Sequence, residues 1–101
     1  MDSIPLFQVY GLYDPESDEL RYVGETTYPL ARRLRDHIST SLHVGGAEYH
    51  GYKARWVRSI FNRGLRPDIR LIEAVSDAET MHERERAWIA ASIAAGVRLT
   101  N

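Results

Sequence analysis

Gly11-Leu12-Tyr13-Asp14-Pro15-Glu16-Ser17-Asp18-Glu19-Leu20-Arg21-Tyr22-Val23-Gly24 is the stretch that decides the fold. Asp14 to Asp18 is turn chemistry: proline presets one backbone angle, and Asp and Ser accept local hydrogen bonds. The flanks, Leu6 to Tyr13 and Leu20 to Gly24, are rich in aromatic and aliphatic residues and read as two strands of a hairpin. Each strand sets a tyrosine beside a glycine. Glycine weakens a strand interior and marks a place where a ligand or another backbone comes close.

Working outward, Thr27-Tyr28-Pro29 reads as a helix start, with Thr27 or Tyr28 near the cap and Pro29 in the first turn, where its missing N–H is harmless. That helix is expected to reach about Thr40, and His43 to Glu48, with Gly45-Gly46, to form a loop. A second helix is predicted from about Gly51 to Asn62 or Arg63, closed by Gly64 and turning Trp56, Ile60 and Phe61 inward. Asp68 to Val75 reads as a third strand with Ile69, Leu71, Ala74 and Val75 as its apolar content. Ser76 with Glu79 fits a capping box that opens a third helix to Ala95, ended by Gly96 and followed by a short extended tail to Asn101. The order β-β-α-α-β-α predicts an α+β domain: a three-stranded antiparallel sheet flanked by helices.

The chain has 101 residues, the length of one compact domain, and can bury a core without disulfides or structural metal. It has no cysteine, which rules out a disulfide framework and thiolate metal sites and fits a cytoplasmic protein. No apolar run approaches a membrane span, and no basic stretch leads into an apolar leader. The net charge is −1, yet it is unevenly spread. Residues 1–31 hold one arginine and six acids, whereas residues 32–70 hold nine Lys/Arg and three acids. A basic middle third of this kind can gather phosphates.

Arg33 and His37 are four apart on the first predicted helix and share a face. Glu85 falls on the same stripe of the third helix as Met81, Trp88, Ile89 and Ser92, the stripe that should face the core. A carboxylate there must be paired, hydrogen-bonded or metal-bound. His43, His50 and His82 have no metal-ligand spacing, and neither a phosphate loop nor a Ser or Cys nucleophile signature is present.

In order and spacing, Gly11-Leu12-Tyr13, Tyr22-Val23-Gly24-Glu25-Thr26, Arg33-Leu34-x-x-His37, Glu85-x-x-Trp88-Ile89 and Leu99-Thr100-Asn101 resemble the GIY-YIG nucleases over residues 9–101. The resemblance implies a single stand-alone nuclease domain and a site residue by residue. Tyr13 would be the general base, Tyr22 would position water and phosphate, and Arg33 would hold the scissile phosphate. His37 would assist proton transfer, Glu85 would be the metal-binding carboxylate, and Asn101 would order the site. It further implies one Mg²⁺ or Mn²⁺ ion and DNA as substrate, with RNA left open. Arg32, Arg35, His50, Lys53 and Arg55, on or near the first two helices, would contact the nucleic-acid backbone. A second copy of the chain or a separate specificity subunit would add recognition. Leu12 and Val23 replace the isoleucines of the family name, and Glu25 sets a second acid beside the motif. The alternative is the same fold kept as a nucleic-acid-binding or interaction module without strong catalysis.

Overall fold

The structure, a computed structural model, describes residues 6–101. Six elements follow one another: β1 (Phe7–Tyr13), β2 (Leu20–Thr26), α1 (Leu30–Leu42), α2 (Tyr52–Asn62), β3 (Asp68–Val75) and α3 (Ala78–Ala94). The strands form one three-stranded antiparallel sheet, as the element order predicted, and the strand order is β2-β1-β3. None of the described helices is long and apolar enough to cross a membrane.

The alternation of strand side chains gives the sheet two packed faces. On one face Tyr10 and Leu12 meet Trp56, Val57 and Ile60 of α2, with Leu34 and Ile38 of α1 closing over them. On the other, Val9 and Val23 meet Met81, Trp88 and Ile89 of α3. The α3 stripe read from the sequence is therefore the buried one. In β3 the apolar content differs from expectation. A register shift between Val9 and Tyr10 inserts an extra residue into β3, so that Ile69 faces α1 and α2 while Ile72 and Val75 face α3. Leu71 is left exposed.

The helix starts also shift slightly. Pro29 is the cap of α1, with an extended ψ of 143°, and Leu30 is the first helical residue. On α3 the cap is Asp77, not Ser76: its carboxylate accepts from the Thr80 amide at 2.7 Å. A carboxylate at this position satisfies a free amide and faces the positive end of the helix dipole. Gly64 and Gly96 follow the ends of α2 and α3 with φ of 76° and 85°, a region that L side chains avoid. The loop between α1 and α2 is stapled by Arg58. Its guanidinium donates to the carbonyls of Ser41 at 2.8 Å and Tyr49 at 2.7 Å, and lies 3.8 Å from the Tyr49 ring centroid.

Ile60 is fully buried and Ile93 is 61% exposed. Ile60→Ala should lower stability by roughly 2–5 kcal/mol through lost burial and a residual cavity. Ile93→Ala should change it by about 0.5 kcal/mol or less. Urea unfolding of the two variants checks the placement of the core.

Candidate active site

Leu12 lies directly across from Tyr22, and Tyr10 across from Gly24. This register puts Tyr10 and Tyr22 on the α1/α2 face of the sheet, their ring centroids 6.3 Å apart. Gly24 makes the approach possible. A Cβ at that position would lie 2.5 Å from the Tyr10 Oη and 2.8 Å from Tyr22 Cε1. The glycine is thus the floor on which both tyrosines rest.

Two residues of α1 reach the same spot. His37 is buried, and its Nε2 is 2.5 Å from the Tyr10 Oη. Arg33, one turn earlier, donates to the same oxygen at 3.2 Å and has the same nitrogen 3.4 Å from His37 Nε2. The His37 ring meets the Tyr22 ring edge-on, with centroids 5.0 Å apart. From α2, Lys53 donates to the other ring nitrogen, Nδ1, at 2.8 Å. It also pairs with Glu48 at 3.7 Å and lies 5.5 Å from the Tyr22 ring centroid. Four elements therefore converge on one tyrosine oxygen and one imidazole.

Burial governs how these groups titrate. It pushes the Tyr10 phenol well above the ordinary tyrosine range, Tyr22 adds to the rise, and Arg33 only partly offsets it. Tyr22 is also raised, first by burial, with Arg33 and the Tyr10 hydroxyl pulling the other way. His37 falls to about 3, because burial and the charges of Lys53 and Arg33 all disfavour imidazolium. Burial lowers Lys53 as well, against the pull of Glu48.

Glu85 stands on α3, across the sheet. Burial raises its carboxyl pKa and the charge of Glu25 raises it further, while His82 and Arg86 oppose. Its own charge is felt by both Tyr10 and Tyr22. Glu25, on β2, pairs through one oxygen with His82 Nδ1 at 2.5 Å; its other oxygen is buried without a partner among the described residues. Arg33 Nε is likewise buried without one. Both residues line a cleft of about 270 Å³ together with Thr26, Thr27, Tyr28 and Met81. A second cleft, of about 190 Å³, is lined by Tyr22, Glu48, Tyr52, Lys53, Thr100 and Asn101. Tyr10 is fully buried, so of the two central tyrosines Tyr22 is the one that borders a cleft.

Of the residues expected at the site, Tyr22, Arg33 and His37 come together. Asn101 does so indirectly: its Oδ1 accepts from the Val23 amide at 2.9 Å and its Nδ2 donates to the Val23 carbonyl at 2.7 Å. It extends the sheet beyond its outer strand and so fixes the strand that carries Tyr22. Tyr13 is not part of the cluster. It faces the opposite side of the sheet, its ring over Gly11 and 4.3 Å from the Arg70 guanidinium. Tyr10, and not Tyr13, stands with Tyr22, Arg33 and His37. The signal was available in the strand period: residues 10 and 12 share a face, and residue 13 does not.

Lys53 belongs to the buried cluster rather than to an outer phosphate-binding surface. Arg32, stacked 4.0 Å from the Tyr28 ring centroid, and Arg35, His50 and Arg55 are exposed. The basic third of the sequence is less basic in space, because Arg63 pairs with Asp14 and Glu16, and Arg70 with Asp18 and Asp68.

Among the described residues no three His, Asp or Glu side chains form a ready metal-binding group. Mg²⁺ commonly takes only one or two carboxylates and completes its shell with water and phosphate oxygens. Glu85, with the unpartnered oxygen of Glu25 nearby in charge, fits that donor chemistry. Comparison with protein-family models, with curated proteins and with solved structures gives no match to this chain.

The buried neutral imidazole makes stability depend on pH. Below about 6.5 the unfolded chain protonates His37 and the native state does not until about 3. Stability is therefore independent of this group above pH 6.5 and falls as pH drops, by up to about 1.4 kcal/mol per unit. Urea unfolding between pH 7 and 4.5 should show a steeper acid loss for wild type than for His37→Gln. Equal slopes would mean that His37 is not held neutral.

Proposed function

We propose that the chain is a divalent-metal-dependent endonuclease of the GIY-YIG type that hydrolyses DNA phosphodiester bonds. The observation that carries this reading is the convergence of two tyrosines, an arginine, a histidine and a lysine between two clefts, Arg33 lining one and Tyr22 and Lys53 the other, with a carboxylate of raised pKa in electrostatic range. Phosphodiester hydrolysis needs a water deprotonated on one side of the phosphorus and charge neutralised around it. Arg33, which lines the first cleft, presents a planar fork of donors suited to the non-bridging oxygens. Tyr22, at the cleft, takes the proton of the attacking water. Tyr10 stays protonated behind it, because burial holds its phenol high, and its hydroxyl supports a phenolate on Tyr22. Glu85, with Glu25, would hold the metal ion. When bound, the ion supplies Lewis-acid stabilisation of the phosphate and the leaving oxygen. Arg32, Arg35 and Arg55 remain as exposed contacts for the backbone, and their contribution is weakened by salt.

Supercoiled-plasmid cleavage with Mg²⁺ or Mn²⁺ tests this. Tyr22→Phe and Glu85→Ala should each lose about 10²–10³-fold in rate, the usual worth of a group acting on the transition state. Tyr13→Phe should cleave as wild type does. Because Tyr22 titrates above its ordinary range, its phenolate fraction grows with pH, so the rate should rise about tenfold per unit between pH 7 and 9. Folded wild type that binds DNA but does not cut it would instead make the domain a binding module. Activity retained in Glu85→Ala would remove the metal assignment.

A further inference from the structure

Lys53 contributes more than charge to this cluster. An ammonium group has donors only and no acceptor. Its 2.8 Å contact with His37 Nδ1 therefore makes that nitrogen the acceptor. A neutral imidazole carries one hydrogen, so the hydrogen must be on Nε2. The 2.5 Å contact between Nε2 and the Tyr10 oxygen is then a donation from histidine to tyrosine. Arg33, also donor-only, is nearer to that oxygen, at 3.2 Å, than to Nε2, at 3.4 Å, and its hydrogen goes to the oxygen. With its oxygen accepting twice, Tyr10 is left to donate its own hydrogen, and the Tyr22 ring is its aromatic neighbour, with centroids 6.3 Å apart.

We infer that Lys53 is a positioning residue that locks His37 in the tautomer protonated at Nε2, so that hydrogen bonds run one way from Lys53 through His37 to Tyr10. The direction has chemical content. With the opposite tautomer, Tyr10 would donate to His37 and could not support a phenolate on Tyr22. In the tautomer that Lys53 selects, the Nε2 lone pair is occupied by a proton, so His37 acts on Tyr10 as a donor and not as a base. Its effect on catalysis rests on the nuclease reading; the tautomer itself does not.

The groups that face His37 are Tyr10 from β1, Tyr22 from β2, Arg33 from its own helix and Lys53 from α2, with Glu48 beyond Lys53. No carboxylate among the described residues contacts the imidazole. Lys53 is thus the group whose removal should free both the tautomer and the titration.

The measurement is two-bond proton–nitrogen NMR of the histidine rings in the whole uniformly ¹⁵N-labelled chain, without DNA or metal. The exposed His43, His50 and His82 serve as internal references. Wild type should show His37 neutral at pH 7 and protonated at Nε2. In Lys53→Met the ring should lose its single tautomer, and its pKa should rise by at least one unit. Lys53→Arg, which restores a donor, should return both toward wild type. The wild-type spectrum decides the tautomer even if Lys53→Met fails to fold: a proton on Nδ1 would overturn the inference. An unchanged tautomer and titration in a folded Lys53→Met would overturn it too. In plasmid cleavage Lys53→Met should lower kcat about tenfold, the worth of one hydrogen bond, with KM little changed and Lys53→Arg partly active. A loss confined to KM would make Lys53 a substrate contact and overturn the positioning role. If wild type shows the Nε2 tautomer but does not cleave DNA, the nuclease reading fails and the assignment of Lys53 stands.

Discussion

The absence of one methyl group at Gly24 governs the centre of this protein. Tyr10 lies across the strand pair from Gly24, and its hydroxyl fills the space that a side chain there would take. Overpacking a filled core by a carbon at 2.5 Å would force the ring aside. Nothing at this point could move alone. The Tyr10 oxygen is held by His37 and Arg33, His37 is held by Lys53, and α1 and α2 are tied together by Arg58. A void in β2 thus sets the height of a tyrosine, and the tyrosine sets where two helices can place their polar side chains.

A buried polar cluster is favourable only when its members satisfy one another. Here two cations flank a phenol and an imidazole, both of which burial keeps neutral. Arg33 and Lys53 find donors' work to do on neutral oxygen and nitrogen, and Lys53 keeps a carboxylate, Glu48, at its outer end. An apolar replacement would pack such a site more simply. Keeping cations there makes sense for a site in which negative charge develops, whether on a phenolate or on a phosphate brought alongside.

Much of this was legible in the sequence. The turn residues Asp14 to Asp18 announced the hairpin, and the Met81, Glu85, Trp88, Ile89, Ser92 stripe announced the buried side of α3. Arg33 and His37 were readable from a spacing of four. Tyr13 was misplaced because its cue was local: it stands next to Gly11 and Leu12. Which tyrosine faces α1 depends on the cross-strand register, Leu12 against Tyr22, and on a period of two that excludes residue 13. The cap of α3 moved by one residue for a similar reason, since Ser76 and Asp77 both suit a cap and the end of β3 decides between them. Lys53 was out of reach as a partner for His37. They are 16 residues apart on different helices, and only the packing of α1 on α2 brings them to 2.8 Å. Nor does the linear charge pattern show that Arg63 and Arg70 of the basic third fold back onto the acidic turn of the hairpin.

The two faces of the sheet divide the electrostatics. Cations from α1 and α2 stand on one side of the tyrosine pair, and the carboxylates of Glu25 and Glu85 belong to the α3 side. Each tyrosine is pulled toward ionisation by Arg33 and away from it by Glu85. Anything that neutralises Glu85 removes the opposing charge and leaves the cations in control, so a cation bound there would lower the phenol pKa without touching the phenol. The same cation would relieve the repulsion between Glu85 and Glu25 that now raises the Glu85 carboxyl. A cation bound on one face and a proton transfer on the other would in this way be coupled across a sheet one residue thick.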